Sequence, residues 1–343
     1  FNPESVDYLI LSHAHIDHSG LIPKFIKDGY KGKIFCIPAT AQLTKVLLED
    51  SAEIQEDDIK YENKRRRAMG MPLLKPLYDL EDAQKAFDRF VHVDYGQWTK
   101  IDEAVDFMFT DAGHIIGSAC VHLRIKENGK TTHVTFSGDL GRYRDVILKS
   151  PQDFPQADII IMESTYGNSL HDTAVSTPDQ LLKWIIKACL EKKGKLIIPA
   201  FSVGRTQEIL YDLNQLELER RLPDLDYFVD SPLSVEATEI VKSYPSYFNN
   251  RIQKVLQTDA DPFAFKGLRF VRNVEESKLL NFKSGPLVII SASGMADAGR
   301  VKHHINNNIE NSRNTILLTG YCEPRSLGGK LLEGRKEIGR AHV

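Results

Sequence analysis

Short apolar runs alternate with longer amphipathic stretches along the chain and predict alternating strands and helices. Each run is about as long as a buried strand, and most runs end in small or polar residues. The predicted buried strands cover residues 6–11, 133–139, 158–164, 195–200, 226–230, 286–293 and 314–320. From Pro178 onward, strand and helix alternate regularly, which favours an α/β fold with a parallel sheet covered by helices.

The clearest helical pattern covers residues 176–194. Thr177 can cap its N-terminus, Pro178 suits the first helical position, and Gly194 can end it. Six apolar residues are predicted to share one face of this helix: Leu181, Leu182, Ile185, Ile186, Cys189 and Leu190.

A polar stretch at residues 167–178 is the best candidate for a linker between domains. We therefore expect a first domain over residues 1–172 and a second over residues 173–335. Phe1 precedes a predicted strand by only a few residues, so we expect initial strands to be missing. Residues 336–343 read as a truncated or non-native tail, and "EIGRAHV" could be translated adapter sequence.

Composition places the chain among ordinary globular proteins, with 42% hydrophobic and 27% charged residues in 343. We expect a cytoplasmic protein without a membrane segment, because no apolar run approaches the roughly 18 residues that a span needs. The net charge of −3 gives no global attraction to nucleic acid, so a polyanion would need a local basic or metal-bearing cleft. The cysteines form no CxxC pair and are predicted to be packing residues: Cys36, Cys120, Cys189 and Cys322.

The stretch "HAHIDH" at residues 13–18 places three histidines and one aspartate directly behind a predicted buried strand. A tight loop there can point His13 and His15 one way, and Asp17 and His18 another. Imidazole and carboxylate groups suit Zn²⁺ or a similar ion, so the pattern predicts two metal sites. A surface histidine cluster is the alternative, but packing these groups against a buried strand without a metal would be costly.

Further ligands are expected at other strand ends. His114 lies between Gly113 and Gly117, which allow a close backbone approach, and Asp139 directly follows Gly138. Alone, each residue is as well explained by a turn. Their order after the histidine loop makes both of them ligand candidates.

The motifs "HAHIDH", "AGHIIGS", "SGDLGR" and "DIIIMESTYGN" resemble the metallo-β-lactamase superfamily in its β-CASP branch of nucleic-acid-processing nucleases. The stretches "PAFSVGRTQEIL", "VDSPL", "SASGMADAGRVKHHI" and "TGYCEPRSLGGKLLEG" resemble landmarks of the β-CASP domain. The chain is most similar to the RNA-processing members, including the subunit that cleaves messenger RNA 3′ ends and its bacterial and archaeal relatives. The resemblance implies an incomplete αββα sandwich with an inserted β-CASP domain, whose parallel sheet is flanked by helices.

The resemblance implies two zinc ions. His13, His15 and His114 would hold the first, and Asp17 and His18 the second. Asp139 would bridge both ions. Two zinc ions roughly 3.5–4 Å apart can clamp a phosphodiester and generate hydroxide near neutral pH. Asp17 and Glu163 are the catalytic candidates. Glu163 is implied to orient a histidine that helps protonate the leaving oxygen, although a buried acid paired with an arginine is the alternative.

Two histidines that the family pattern expects, the leaving-group histidine and the last metal ligand, would lie beyond "GYCEPRSLGGKLLEG". His303 and His304 are interpreted as solvent or groove residues and not as substitutes. Because these motifs and the initial strands are missing, we expect the isolated chain to bind metal incompletely and to cut poorly.

Softer features suggest how a substrate could be held. The basic stretch at 63–70 is predicted to be a loop that could line an RNA path, and Asp230 looks like a domain-interface residue together with its neighbour Ser231. The substrate-binding candidates lie at turns where backbone amides or a helix N-terminus could meet phosphate: Ser202, Arg205, Ser231, Gly294 and Gly328.

The sequence therefore favours a zinc-dependent endoribonuclease that cleaves single-stranded RNA, with exonuclease activity as an addition. A DNA-processing β-CASP nuclease and a catalytically inactive scaffold subunit are the alternatives. Small-ester and thioester hydrolases share the histidine motif but lack a β-CASP insertion, which argues against them. A homodimer is an open option for assembly.

Overall fold

The computed structural model describes residues 2–168 and 177–335. The chain divides into a first unit, Phe1–Asn168 with Ser243–Asn250, and a second unit, Ser169–Lys242 with Arg251–Val343. The polar linker predicted at 167–178 falls mostly outside the described residues, as does the tail at 336–343. The predicted domain boundary therefore stays a prediction.

The strands of the first unit form two sheets within its described residues. Strands β1, β2 and β3 form a parallel sheet in that order. Strands β4 to β8 form the second sheet in chain order, and among its described pairs only β7–β8 is parallel. The strands are β1 Tyr8–Ile10, β2 Lys33–Cys36, β3 Phe90–His92, β4 Thr99–Lys100, β5 Val105–Asp111, β6 Ala119–Glu127, β7 Lys130–Phe136 and β8 Ile159–Ile161.

The described α-helices of the first unit lie before β3 in the chain, and a 3₁₀ helix at Pro245–Tyr247 lies in its second segment. The α-helices are α1 Ile16–Ser19, α2 Ile22–Lys27, α3 Pro38–Ala68 and α4 Leu80–Ala86. A helix-side core contains Leu11, Ile34, Leu48 and Tyr78, while a separate core between the two sheets contains Phe35, Phe107, Phe109 and Val121. Helices therefore cover one face of the first sheet and the second sheet packs on the other, as expected for part of an αββα sandwich.

The second unit has a five-stranded sheet that is parallel throughout, in the order β11-β10-β12-β9-β13. Its strands are β9 Lys195–Pro199, β10 Asp226–Val229, β11 Leu268–Phe270, β12 Leu287–Ser291 and β13 Thr315–Ile316. Its helices are α5 Thr177–Ile185, α6 Arg205–Leu218, α7 Pro232–Lys242, α8 Asn250–Val255, α9 Val274–Phe282, α10 Arg300–Asn308 and α11 Leu327–Leu332. The parallel sheet predicted from the strand–helix alternation is confirmed.

Several expectations on burial and local structure were wrong. The stretch 63–70 is not a loop, because Lys64 to Arg67 form the last turn of the 31-residue helix α3. Strand β8 is half exposed, since it pairs only with β7 among the described strands. Beyond α5 the chain forms a π-helical turn over Ile186–Glu191, whose wider turn leaves Leu190 exposed and Cys189 buried.

Other expectations hold. The four cysteines are free and buried, as packing residues should be. Among the described residues, no helix combines the length and the apolar character that crossing a membrane requires.

Candidate metal centre

The histidine loop leaves the first sheet where β1 ends. Leu11 continues the strand pairing by donating its amide to the carbonyl oxygen of Phe35 at 2.9 Å, and His13 beyond it is fully buried. The chain then turns directly into α1, with the Ser19 hydroxyl donating back to the Ala14 carbonyl oxygen at 2.9 Å. This short turn brings His13 and His15, which precede α1, close to Asp17 and His18, which lie on α1.

His114 comes to the same point from the loop between β5 and β6. Gly113 and Gly117 adopt positive φ angles of 64° and 81°, and a Cβ on Gly117 would lie 2.7 Å from the Thr40 amide nitrogen. The Ser118 hydroxyl accepts a hydrogen bond from the His114 amide at 3.0 Å. The close backbone approach that the sequence predicted for these glycines is confirmed.

Asp139 follows β7 through Gly138, which has a φ of 57°. A Cβ on Gly138 would lie 3.0 Å from the Cβ of Ser12, so the segments that carry Asp139 and His13 pass close to each other here. The neighbouring strands β1 and β7 belong to different sheets, and their ends converge at the ligand cluster.

Four of the predicted ligands form a tight group in which one ligand atom from each lies within 4.8 Å of all the others: His13, His15, His114 and Asp139. Nε2 of His114 lies 3.1 Å from Nδ1 of His15, and Oδ2 of Asp139 lies 3.6 Å from Nε2 of His13. Such short separations between lone-pair donors are what a shared cation requires.

Asp139 also faces the remaining ligands of the histidine loop. Its other oxygen, Oδ1, lies 3.3 Å from Nε2 of His18, and that same nitrogen lies 3.6 Å from Oδ2 of Asp17. The Asp17 side chain is 73% exposed, so this second group is open to solvent while His13 is sealed. The carboxylate of Asp139 thus stands between two groups of donors.

The electrostatics keep most of the cluster ready for a cation. Burial lowers the pKa of His15 to about 4, and burial with the neighbouring histidines lowers the pKa values of His13 and His114. The hydrogen bond between Asp139 and His18 lowers the pKa of the carboxyl and raises the pKa of His18. At neutral pH these three imidazoles are therefore neutral and the carboxylate beside them is ionised, the protonation states in which such groups can bind a metal ion.

An orphaned atom points in the same direction. Nδ1 of His13 lies 3.2 Å from the Ser12 hydroxyl, whereas its buried Nε2 has no hydrogen-bond partner among the described residues. A buried polar atom without a partner costs free energy unless something else binds it. Since that atom faces three other donors, the residues fit a metal ion.

Glu163 lies close to the cluster, just after β8. Its Oε1 accepts a hydrogen bond from the Leu140 amide at 3.3 Å, and its Oε2 accepts one from the Thr165 amide at 2.9 Å. Burial raises the pKa of Glu163, but these hydrogen bonds outweigh it and the net shift is downward. Backbone amides, and not the arginine considered from the sequence, hold this carboxylate next to Asp139.

The substrate-binding candidates all lie in the second unit. The hydroxyls of Ser202 and Ser231 lie 3.4 Å apart, and Arg205 contacts Glu208 within α6. A Cβ on Gly294 would lie 2.7 Å from the Phe201 ring, so this glycine permits close packing.

Gly328 is likewise tightly packed. Its amide already donates to the Met295 carbonyl oxygen at 2.9 Å, and a Cβ would lie 2.6 Å from Sγ of Cys322. The backbone amide of Gly328, which the sequence predicted to face phosphate, therefore already forms a hydrogen bond within the fold. Its role in substrate binding stays a prediction.

His304 and Asp230 were interpreted wrongly from the sequence. Both are fully buried, and Nε2 of His304 lies 2.7 Å from Oδ2 of Asp230. Arg300 donates to Oδ1 of the same carboxylate at 2.7 Å, and the Ser277 hydroxyl also donates to it. The network joins β10 to α9 and α10. The four-residue spacing of Arg300 and His304 indicates only that they share a face of α10, and not that Asp230 is their partner.

Comparison with known proteins now identifies the family. The sequence pattern described as "Metallo-beta-lactamase superfamily" matches residues 1–185, and the pattern described as "Beta-Casp domain" matches residues 206–331. This chain belongs to the metallo-β-lactamase superfamily and carries a β-CASP domain. The family named from the motifs is confirmed, and with it the fold class. The β-CASP protein is accordingly a metal-dependent hydrolase.

Several curated relatives extend the comparison over nearly all of the chain. Ribonuclease TTHA0252 of Thermus thermophilus is 32% identical over 97% of this chain and 71% of its own length. An RNase J-like protein of Methanocaldococcus jannaschii is 32% identical over 98% of this chain and 71% of its own. Transcription termination factor FttA of Methanosarcina mazei is 30% identical over 98% of this chain, which spans 51% of that relative.

Proposed function

We propose that this β-CASP protein hydrolyses phosphodiester bonds in single-stranded RNA with the help of two zinc ions. The observation that carries the proposal is the position of Asp139, whose Oδ2 faces His13 and His114 while its Oδ1 faces His18. The names of the relatives TTHA0252 and RNase J-like protein support RNA as the substrate.

His13, His15 and His114 would hold one ion, Asp17 and His18 the other, and Asp139 would contact both. Bound zinc ions would supply Lewis-acid stabilisation of the phosphate and an activated water. The imidazoles contribute as neutral ligands because their lowered pKa values keep them unprotonated at neutral pH. The Ser12 hydroxyl, 3.2 Å from Nδ1 of His13, orients that ring so that Nε2 faces the cluster.

Glu163 is proposed to act as an anionic positioning residue beside the metal ligands. It is fixed by the amides of Leu140 and Thr165, and the first of these directly follows Asp139 in the chain. A carboxylate held this way can orient a group that donates a proton to the leaving oxygen.

The finer features are part of the same proposal. We expect endonucleolytic cleavage with additional exonuclease activity, and contacts to the RNA from Ser202, Arg205 and Ser231 in the β-CASP domain. A homodimer and a cytoplasmic location also remain predictions from the sequence.

The test compares the full-length protein with its double variant Asp17→Ala/His18→Ala on a labelled single-stranded RNA, on DNA of the same sequence, and on a circular form of the RNA. We expect about two zinc ions per chain, cleavage of both RNA forms, little cleavage of DNA, and loss of activity in the variant. Cleavage of the circle reports endonuclease activity, since an exonuclease needs an end.

The matched control is His133→Ala, which removes a half-exposed histidine from β7 outside the ligand cluster. It should keep both metal content and activity. Preferential cleavage of DNA would replace the substrate assignment. Full metal content without cleavage of any nucleic acid would overturn the proposal and favour the scaffold alternative.

A further inference from the structure

Two loops leave the sheet of the second unit at the carboxyl ends of neighbouring strands. Strand β9 ends at Pro199 and strand β13 at Ile316, and the two strands are paired and parallel. The Thr319 hydroxyl lies 3.5 Å from the Pro199 carbonyl oxygen, so the two loops begin side by side. In open sheets of parallel strands, ligands bind at this edge.

Each of these loops carries an exposed aromatic side chain. Phe201 is 40% exposed and Tyr321 is 57% exposed. Among the residues that the structure describes, neither ring contacts another aromatic ring, and the Tyr321 hydroxyl has no hydrogen-bond partner. A single exposed ring is common on a protein surface, whereas two open rings on adjacent loops at one sheet edge form a surface suited to planar ligands.

The Phe201 ring is held in a fixed position. Thr206 donates to the Phe201 carbonyl oxygen twice, through its amide at 3.3 Å and through its hydroxyl at 2.7 Å. The ring lies against Gly294, where a Cβ would come within 2.7 Å of the ring carbon Cδ2. A ring that is already positioned binds a planar ligand at a small cost in conformational entropy.

The Tyr321 loop meets the same glycine. Sγ of Cys322, the residue after Tyr321, lies 3.8 Å from the Gly294 carbonyl oxygen. Gly294 therefore contacts Phe201 in one loop and the neighbour of Tyr321 in the other. This shared contact brings the two aromatic residues to the same part of the sheet edge.

Arg325 adds a positive charge to the Tyr321 loop. Its side chain is exposed and forms no ion pair within residues 2–168 and 177–335. Two acids of this region bind backbone amides. Asp297 accepts from the Leu327 amide at 2.6 Å, and Glu323 accepts from the Arg325 amide at 2.7 Å. The guanidinium group is therefore free to bind a phosphate.

We propose that Phe201 and Tyr321 stack on successive bases of single-stranded RNA and that Arg325 binds a phosphate of the same strand. This inference rests on the proposed function and names a site at which its substrate is held. Every base has a π-face, so such a site binds RNA without sequence preference. Local contacts of this kind are needed because the net charge of −3 gives the chain no general attraction to a polyanion.

The test measures by fluorescence anisotropy the binding of a labelled single-stranded RNA of roughly ten nucleotides. The full-length protein carrying Asp17→Ala/His18→Ala is the background, so that the RNA stays intact during the titration. In this background Phe201→Ala and Tyr321→Ala should each raise Kd about tenfold, because each removes one stacked base. Phe201→Tyr and Tyr321→Phe keep the rings and should bind RNA as the background protein does.

Abasic RNA separates stacking from an indirect effect on the fold. Removal of single bases along the RNA should weaken binding most at two adjacent positions. At the position that stacks on Phe201, base removal and Phe201→Ala should not add, because both abolish the same contact. Arg325→Ala should lower the slope of log affinity against log salt by about 0.7, the contribution of one phosphate on a single strand.

Phe282→Ala and Arg313→Ala are the matched controls. Both side chains are exposed and lie just before β12 and β13, at the opposite edge of the same sheet. Both variants should bind RNA as the background protein does. An unchanged Kd in Phe201→Ala and Tyr321→Ala would overturn the proposal, as would full additivity of Phe201→Ala with every abasic position.

A background protein that does not bind the RNA would overturn the stacking site as well. RNA cleavage by the full-length protein with Asp17 and His18 intact tests the proposed function separately. A protein that cleaves RNA but is indifferent to both alanine substitutions would lose the stacking site and keep the proposed function.

Discussion

Oδ1 of Asp139 lies 3.3 Å from Nε2 of His18, while the other oxygen of the same carboxylate faces His13 and His114. One carboxylate therefore contacts ligand candidates on both of its sides.

Removing the charge of Asp139 should disable the whole cluster. Residues that only orient a metal ligand typically contribute 10–100-fold, so Asp139→Asn should lower RNA cleavage by more than about 100-fold and reduce bound metal. Elemental analysis and initial rates measure both effects. Asp158→Asn is the control, because Asp158 lies outside the cluster and contacts the half-exposed His133 at 3.4 Å. Normal metal content and activity in Asp139→Asn would contradict the bridging role.

Glu163→Gln should separate catalysis from metal binding. The amide keeps the size of the side chain but loses the charge that the Leu140 and Thr165 amides stabilise. We expect metal content to stay unchanged while the cleavage rate falls by about 100-fold. If metal content fell in parallel with the rate, Glu163 would have to be regarded as a support of the metal site.

Asp111 should make stability depend on pH. Burial raises the pKa of its carboxyl to about 6, against opposing effects of the Gly113 amide and Lys149. Because the unfolded chain loses this proton near pH 4, the folded state binds more protons between about pH 4 and pH 6, and Asp111 destabilises it increasingly as pH rises through that window.

Asp111→Asn should therefore stabilise the protein by roughly 1–2 kcal/mol at pH 7.5, and by less at pH 4. Thermal unfolding of both proteins across this range measures the difference. The gain should level off above about pH 7. A difference that does not vary with pH would show that Asp111 does not titrate in this window.

Asp230→Asn should destabilise the second unit. The carboxylate is fully buried and contacts both His304 and Arg300, so losing its charge should cost about 3–5 kcal/mol in the free energy of unfolding. Asp226→Asn, at the start of the strand that Asp230 follows, is the control, since Asp226 forms partly exposed ion pairs worth about 1 kcal/mol or less. Denaturant unfolding compares the two, and equal small losses would contradict the structural role of Asp230.

Gly117→Ala should disturb the loop that carries His114. The substitution needs a φ of 81° and puts a Cβ 2.7 Å from the Thr40 amide nitrogen, so we expect a loss of at least about 1–3 kcal/mol together with weaker metal binding. Gly129→Ala has a similar φ of 76° but nothing within 4 Å of the added Cβ. Gly129→Ala should lose only the stability that its positive φ costs an alanine. An equal loss of bound metal in the two variants would contradict the packing argument.

The parts of the fold that the sequence predicted best depend on local patterns. Apolar runs predicted the positions of β9, β10 and β12. A parallel strand that is buried on both faces forms a continuous apolar run, which can be recognised in the sequence without knowing the neighbouring strands. Burial of β8 was predicted wrongly, since an apolar run cannot show whether its strand lies at a sheet edge. The last turn of α3 was predicted as a loop, because a run of basic residues is as common in a loop as at a helix C-terminus.

The site shows the same limit. The ligand types around His13 and the glycines beside His114 could be read from the sequence, because the chemistry of a metal and a positive φ both restrict residue choice. The network around Asp230 could not, since His304 and Ser277 meet it only through tertiary packing. A histidine on an amphipathic helix carries no local sign of a buried partner.

The most direct test of the two-metal account is anomalous diffraction at the zinc edge from crystals of the zinc-loaded full-length protein. We predict two peaks that flank the carboxylate of Asp139, one beside His13, His15 and His114, and the other beside Asp17 and His18. A single peak, or no peak within bonding distance of Asp139, would contradict it.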